Sequence, residues 1–177
     1  MLNSLLARLC CMDCGGIILI DPSKCSGCGR CELACSHAKE GKFNFASARI
    51  HLARLADSVS TVPVICRHCD PPLCMFACPT GALARDPRTG VVAIDEDLCV
   101  RCLMCFLACP LGGIAVSPGT GYPVKCDLCG GEPKCVAACD YGALRFVDVT
   151  TANTLQRRKA VQNDEHVVGT ARVVVAR

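Results

Sequence analysis

The sequence contains no tryptophan, and only five phenylalanines and two tyrosines among its 177 residues. A soluble domain of this length normally buries a large apolar core that includes several aromatic side chains. Because so few are present, other groups must fill the interior. The sequence does contain 19 cysteines, a content that marks a special class of protein. Three interpretations follow: a disulfide scaffold, a set of zinc sites, or iron–sulfur clusters.

The sequence also lacks a long apolar run. No stretch reaches the 18 or so residues that a membrane helix needs, and the N-terminal stretch lacks the apolar centre of a secretory signal. We therefore expect a cytoplasmic protein with no direct membrane span. In such a reducing compartment, dense cysteine indicates metal binding rather than disulfides.

A broad basic surface is absent as well. Residues 1–144 carry 13 basic and 13 acidic side chains, so the net charge of +3 arises entirely in residues 145–177. Thiolate ligands would make a metal-binding body more negative still. We expect no nucleic-acid partner. Residues 148–177 are interpreted as a C-terminal docking extension, because their apolar surface is too small for them to fold alone.

Sixteen of the cysteines form four quartets. The quartets are Cys25, Cys28, Cys31 and Cys35; Cys66, Cys69, Cys74 and Cys78; Cys99, Cys102, Cys105 and Cys109; and Cys126, Cys129, Cys135 and Cys139. Quartets one and three share the spacing C-x2-C-x2-C-x3-C, whereas the second gap widens to four and five residues in quartets two and four. This alternation of compact and expanded quartets indicates a duplicated two-quartet unit.

The spacing suits a cubane cluster. Two residues between ligands let the backbone curl around the cluster and direct amide N–H groups at its sulfurs, while the fourth cysteine ligates the other cluster of a pair. We expect that fourth cysteine at the start of a helix, with a helical turn after it that ends at glycine before a short strand. Zinc sites usually separate their C-x2-C elements by a longer arm, so a zinc-binding structural module remains the weaker alternative.

These residues resemble the bacterial two-cluster ferredoxin motif used twice, and the arrangement resembles the four-cluster electron-transfer subunits of modular oxidoreductases. That family includes the iron–sulfur subunits of dimethyl sulfoxide reductase, formate dehydrogenase, the carbon monoxide dehydrogenase-associated ferredoxin and tungsten-dependent aldehyde oxidoreductases. The resemblance covers about residues 17–147. It implies an α+β fold of tandem ferredoxin-like modules around 4Fe-4S clusters, with an inner module at about 62–118 and an outer module from 17–61 plus 119–147, after a leader at 1–16.

The resemblance also implies which cysteines share a cluster. Four sets result: set 1 (Cys25, Cys28, Cys31 and Cys139), set 2 (Cys126, Cys129, Cys135 and Cys35), set 3 (Cys66, Cys69, Cys74 and Cys109) and set 4 (Cys99, Cys102, Cys105 and Cys78). One local feature agrees with separate inner and outer pairs. Only the inner quartets end in Cys-Pro, at Pro79 and Pro110.

The function implied is electron relay without a substrate site of the chain's own. The expected partner is a catalytic oxidoreductase subunit, such as a tungsten or molybdenum aldehyde or formate enzyme or carbon monoxide dehydrogenase. A flavin or hydrogenase subunit, or further copies of this chain forming a longer row of clusters, are additional candidates. The alternative is a free-standing soluble polyferredoxin.

Some metal-binding residue types remain outside the quartets. Cys10, Cys11 and Cys14 are interpreted as free thiols in the leader. The histidines are interpreted as residues beside the clusters or on the surface; they are His37, His51, His68 and His166. Lys24 and Lys125 each precede the first cysteine of a quartet, and solvated surface positions are favoured for them over an effect on a cluster.

Overall fold

The structure is a computed structural model that describes residues 15–54 and 61–155. The leader cysteines, His166 and most of the C-terminal extension lie outside the described residues. Its elements are β1 (Gly16–Ile20), α1 (Arg30–Glu40), β2 (Ile50–Arg54), β3 (Thr61–Ile65), α2 (Leu73–Phe76), β4 (Leu83–Arg85), β5 (Val92–Ile94), α3 (Met104–Leu107), β6 (Ile114–Val116), β7 (Pro123–Lys125), α4 (Lys134–Ala137) and β8 (Leu144–Asp148). The predicted α+β class, with short strands and helices, is confirmed.

The strands pair antiparallel, two by two. β1 pairs with β8, which joins the two ends of the described chain, and β2–β3, β4–β5 and β6–β7 form the other pairs. An isolated two-stranded ribbon is only marginally stable in water. These ribbons must therefore gain their stability by packing against the loops and helices that contain the cysteines.

The buried side chains form two groups. The first contains Ile18, Ile50 and Leu144 together with buried cysteines of quartets one and four. The second contains Leu83, Val92 and Ile114 together with Cys105 of quartet three. Helix packing follows the same division, because α1 contacts α4 and α2 contacts α3. Quartet one thus lies against quartet four, and quartet two against quartet three.

Aromatic side chains contribute little to either group. The side chains of five of the seven are exposed, namely Phe43, Phe45, Phe76, Phe106 and Tyr141. Buried thiols take the positions that large apolar side chains would fill in an ordinary core, as the composition predicted. A change at these thiols is therefore a change in the core itself.

Short apolar or alternating runs at residues 15–20, 49–55 and 90–94 predict strands, and the structure has strands there with shorter bounds. The prediction of a helix after the fourth cysteine is wrong. In quartets two to four the helical turn precedes that cysteine: α2 ends before Cys78, α3 before Cys109 and α4 before Cys139. The amide of Ala82 donates to the Cys78 sulfur, which draws the chain into a turn, and the preceding glycine, Gly81, has a left-handed φ of 68°.

Candidate metal centres

Set 1 lines a single cavity. Cys25, Cys28 and Cys31 come from the first quartet and Cys139 from the fourth, around about 320 Å³ of empty space. Leu52 of β2 and Pro63 of β3 form part of the apolar wall. Strands β2 and β3, which lie between quartets one and two, therefore border these thiols.

The two loops that bring set 1 together are joined by charge. Arg30, next to Cys31, donates to the carboxylate of Asp140, next to Cys139. The N–H of Arg30 also lowers the pKa of the Cys28 thiol, which favours the thiolate form that binds metal. Both charged residues are exposed, so the ion pair itself adds little stability.

Set 3 lines a second cavity, with about 490 Å³ of empty space. Its cysteines are Cys66, Cys69 and Cys74 of the second quartet and Cys109 of the third. Lys125 and His68 belong to the same wall. Burial raises the pKa of the Cys74 thiol, and the nearby Lys125 ammonium acts against that rise.

Set 2 has three of its cysteines in the first group of buried side chains, the one that contains Ile18, Ile50 and Leu144. Cys35, Cys126 and Cys135 are all buried, at 5–7% exposure. Burial raises the pKa of the Cys126 thiol to about 12 and that of Cys135 further, with Cys126, Cys35 and Cys129 adding to the rise through charge repulsion. A metal bound at this set would have to stabilise thiolates that burial disfavours, because the thiolate is the form that binds metal.

Set 4 is more open. Cys105 belongs to the second group of buried side chains, and Cys78 packs against that group. Cys99 lies close enough to Cys105 to raise the pKa of its thiol, although burial is the main cause. Cys102 is exposed. The described contacts thus bring Cys78, Cys99 and Cys105 to one region, with Cys102 at its surface.

A repeated backbone conformation explains the x2 spacing. The second residue after the first cysteine of every quartet has a left-handed φ: Gly27 at 71°, His68 at 47°, Arg101 at 57° and Leu128 at 57°. In two of the quartets the N–H of that residue donates back to the first sulfur, from His68 to Cys66 at 3.4 Å and from Leu128 to Cys126 at 3.3 Å. The backbone of each quartet therefore turns back at this residue, as the x2 spacing predicted.

Amide groups also reach fourth cysteines. The sulfurs of Cys78 and Cys109 accept from the amides of Ala82 and Gly113, and the sulfur of Cys35 accepts from Arg49, each at 3.3 Å. Hydrogen bonds to a thiolate favour its charged form. Although burial opposes them, hydrogen bonds from Thr80 and Ala82 lower the pKa of the Cys78 thiol. At Cys35 burial outweighs the Arg49 amide and raises the pKa.

Asp127 forms an ion-pair centre beside set 2. Its carboxylate accepts from Lys39 Nζ at 2.6 Å and from Arg49 Nη1 at 3.3 Å. Burial alone would raise the pKa of Asp127. The Lys39 bond, the amide of Cys129 and the charge of Arg49 together hold that pKa below its usual range. The sequence pattern contains no signal for this residue, since only the fold brings α1 and the loop before β2 to quartet four.

Lys125 is 4% exposed, so the expectation of a solvated surface position is wrong for it. Its Nζ donates to the carbonyl of Val92, whose own N–H donates to His68 Nδ1 at 3.1 Å. Burial first, and then the charges of Lys125 and Arg85, lower the pKa of His68 to about 4. The expectation is correct for Lys24, which is exposed.

The donor sets fit iron–sulfur clusters. Within residues 15–54 and 61–155, no three His, Cys, Asp or Glu side chains come together closely enough to hold one metal ion. A 4Fe-4S cluster does not require that closeness, because each of its four thiolates binds a different iron. In the same ranges no helix has the length and apolarity needed to cross a membrane.

Cysteine quartets in the loops and helices between short antiparallel strands define an iron–sulfur protein of the ferredoxin type. Residues 58–149 match the family model of the 4Fe-4S dicluster domain, and residues 18–37 match that of the 4Fe-4S binding domain. The chain belongs to the 4Fe-4S dicluster family.

Three curated relatives define the context. The beta subunit of the NADH-dependent phenylglyoxylate dehydrogenase of Aromatoleum evansii is 44% identical over 77% of this chain and 30% of its own length. The polyferredoxin-like subunit of the aliphatic sulfonate oxidoreductase of Pyrococcus furiosus is 42% identical over 77% of this chain and 78% of its own length. A subunit of the anaerobic dimethyl sulfoxide reductase of Escherichia coli is 34% identical over 72% of this chain and 70% of its own length.

The resemblance to iron–sulfur subunits of modular oxidoreductases is thereby confirmed. The chain is an iron–sulfur electron-transfer subunit of the kind found in oxidoreductase complexes, and a further relative is the electron transfer subunit of a thiosulfate reductase. The match to the phenylglyoxylate dehydrogenase subunit spans less than a third of that protein.

Proposed function

We propose that this chain binds four 4Fe-4S clusters, one in each cysteine set. On this proposal it relays single electrons between a catalytic oxidoreductase subunit and a redox carrier or partner subunit. The observation that supports it most is the composition of two cavity walls. One wall contains the four cysteines of set 1, and the other contains those of set 3. In each, three cysteines come from one quartet and the fourth from another.

The crossing of ligands between quartets accounts for the architecture. When the fourth cysteine of one quartet binds the cluster of another quartet, the two loops are held together. The outer module (17–61 plus 119–147) and the inner module (62–118) therefore each close around two clusters. Contacts of α1 with α4 and of α2 with α3, and the two separate groups of buried side chains, support this division.

Each cluster, when bound, accepts and releases one electron without a proton or an atom being transferred. The chain's own contribution is to hold the thiolates, to donate amide hydrogen bonds to their sulfurs and to limit the access of water. Leu52 and Pro63 cover set 1, and amides reach sulfurs of sets 2, 3 and 4. Burial and hydrogen bonds to the sulfurs are among the factors that set a cluster's potential.

Exchange of electrons with partners requires clusters near the surface. The second cysteine is exposed in quartets one, two and three, at Cys28, Cys69 and Cys102. These positions supply points of entry and exit at both modules. On this proposal the thiols of the four sets bind clusters, and the substrate reaction takes place on the partner subunit.

A protein partner is supported by exposed apolar side chains around the inner module. The eight large ones are Leu73, Phe76, Leu98, Val100, Met104, Phe106, Leu107 and Leu111. Phe76 is 76% and Leu107 is 73% exposed. Most of the exposed large apolar side chains of the described residues belong to this module. Their exposure favours a subunit of a complex over a freely diffusing polyferredoxin.

The partner is proposed to be a catalytic subunit of the tungsten, molybdenum or carbon monoxide dehydrogenase type, in a complex located in the cytoplasm. Anaerobic purification of the native complex tests this proposal. We expect co-purification with a large metal-containing oxidoreductase, and recovery of the chain alone with intact clusters would favour the free-standing polyferredoxin.

The number of clusters is tested on the same material. We expect about sixteen irons and as many sulfides per chain, and a visible absorbance that bleaches on reduction. Zinc in place of iron in anaerobically purified protein would refute the proposal. Deleting residues 156–177, which follow the buried Ala152, tests the docking extension separately.

A further inference from the structure

Lys125 is a buried cation in the wall of the set 3 cavity. Its side chain is 4% exposed, and its Nζ donates to the carbonyl of Val92. No carboxylate of the described residues lies within ion-pair distance of that Nζ. Asp127, two positions along the chain, instead pairs with Lys39 and Arg49. Among these residues the charge of Lys125 therefore has no carboxylate partner, and it acts on the Cys74 thiol of set 3 instead.

His68 completes the same wall. Its Nδ1 accepts from the amide of Val92 at 3.1 Å, so the proton of the neutral ring lies on Nε2. That Nε2 is buried and has no hydrogen-bond partner among the described residues. Such unpaired donors are rare in protein interiors and require an explanation. An acceptor held within the cavity would pair with this N–H and explain it.

We propose that Lys125, with His68 beside it, raises the reduction potential of the cluster at set 3 and so favours residence of an electron there. The proposal rests on the proposed function, because it requires a cluster at Cys66, Cys69, Cys74 and Cys109. Lys125 acts on the cluster through its charge and does not bind iron.

The physical reason is electrostatic. Reduction adds one negative charge to a cluster, and a nearby cation stabilises the reduced form more than the oxidised form. The effect is strong where the cation is buried, since little water is present to screen it. An exposed cation is screened by water and salt. Lys24 occupies the equivalent place before the first quartet and is exposed, so the chain contains its own control.

The experiment is an EPR-monitored redox titration of the purified holoprotein and of four variants. Lys125→Gln retains a donor for the Val92 carbonyl but loses the charge, Lys125→Met loses both, and Lys125→Arg retains both. Lys24→Met is the matched exposed control. Iron content is measured for each variant before titration.

We expect one potential of the four to fall in Lys125→Gln and Lys125→Met. The expected change is about tenfold in the equilibrium constant for reduction, which is about 59 mV for one electron. Lys125→Arg and Lys24→Met should stay near the parent. The shift in Lys125→Gln should also persist at high salt, because the charge is buried.

Two results would overturn the inference. One is full iron content with unchanged potentials in Lys125→Gln, and the other is loss of iron in Lys125→Gln, which would assign Lys125 a structural role. Neither resembles a failure of the proposed function, which would appear as missing clusters in the parent protein itself.

Discussion

Gly113 lies where the chain leaves Cys109 and passes directly over Cys66. A β-carbon at this position would stand 2.6 Å from the Cα of Cys66, 2.9 Å from its N and 3.2 Å from the carbonyl carbon of Ile65. All three atoms are backbone, so no side chain can rotate away. The perturbation that tests this contact is Gly113→Ala, at a residue whose φ is not in the left-handed region.

The size of the effect follows from these distances. Ordinary contact begins near 3.4 Å, so the segments must separate by about 0.8 Å. Overpacking of this kind costs roughly 1–3 kcal/mol, which lowers the Tm by about 3–9 °C for a domain of this size. The displacement also moves Cys109, whose sulfur accepts from the Gly113 amide at 3.3 Å, away from the cysteines of quartet two.

The assay is thermal unfolding of the anaerobic holoprotein together with iron analysis and EPR. We expect a lower Tm and loss of about a quarter of the iron, from set 3 alone. Gly119→Ala is the control, because nothing lies within 4 Å of its β-carbon position and its φ is unstrained. If Gly113→Ala kept full iron and the Tm of the control, the close packing of quartet three on quartet two would not matter for set 3.

If ligation is crossed, Cys139→Ser and Cys28→Ser should lose the same EPR signal, because both cysteines belong to set 1. Cys35→Ser and Cys129→Ser should likewise lose the signal of set 2. Signals lost together within one quartet would contradict the crossed sets. Asp127→Asn should destabilise the protein by about 1 kcal/mol or less. Because the folded pKa of Asp127 is lowered, this loss should be full at neutral pH, above the unfolded pKa, and vanish as pH falls through the folded pKa, as parallel acid titrations of Tm would reveal. Iron chelation under anaerobic conditions should unfold the described domain, measured by circular dichroism, since the thiols occupy the core; retention of the native spectrum would refute that role. Deleting residues 156–177 should abolish assembly with the partner while leaving iron content unchanged, and size-exclusion chromatography with iron analysis distinguishes the two effects.

The sequence was most informative where chemistry restricts spacing. Two residues between Cys25 and Cys28 or between Cys99 and Cys102 leave the backbone few ways to present both thiols to one cluster, so the loops were predictable. The strands at 15–20 and 90–94 were predictable as well, because short apolar runs next to turn residues leave little alternative. The placement of the helical turns was not, since amide donation to the sulfurs of Cys78 and Cys109 depends on a fold that brings chain and sulfur together.

By itself the sequence determined the family and supplied the thiols proposed as ligands, because thiol content and local spacing are properties of the chain. Only the tertiary structure decided which thiols share a cavity and which charges lie beside them. Lys24 and Lys125 have the same position relative to a quartet, yet one is exposed and the other is 4% exposed. Burial arises from contacts between residues distant in sequence, as between Lys125 and Val92, and it decides whether a charge is screened by water or acts on its neighbours.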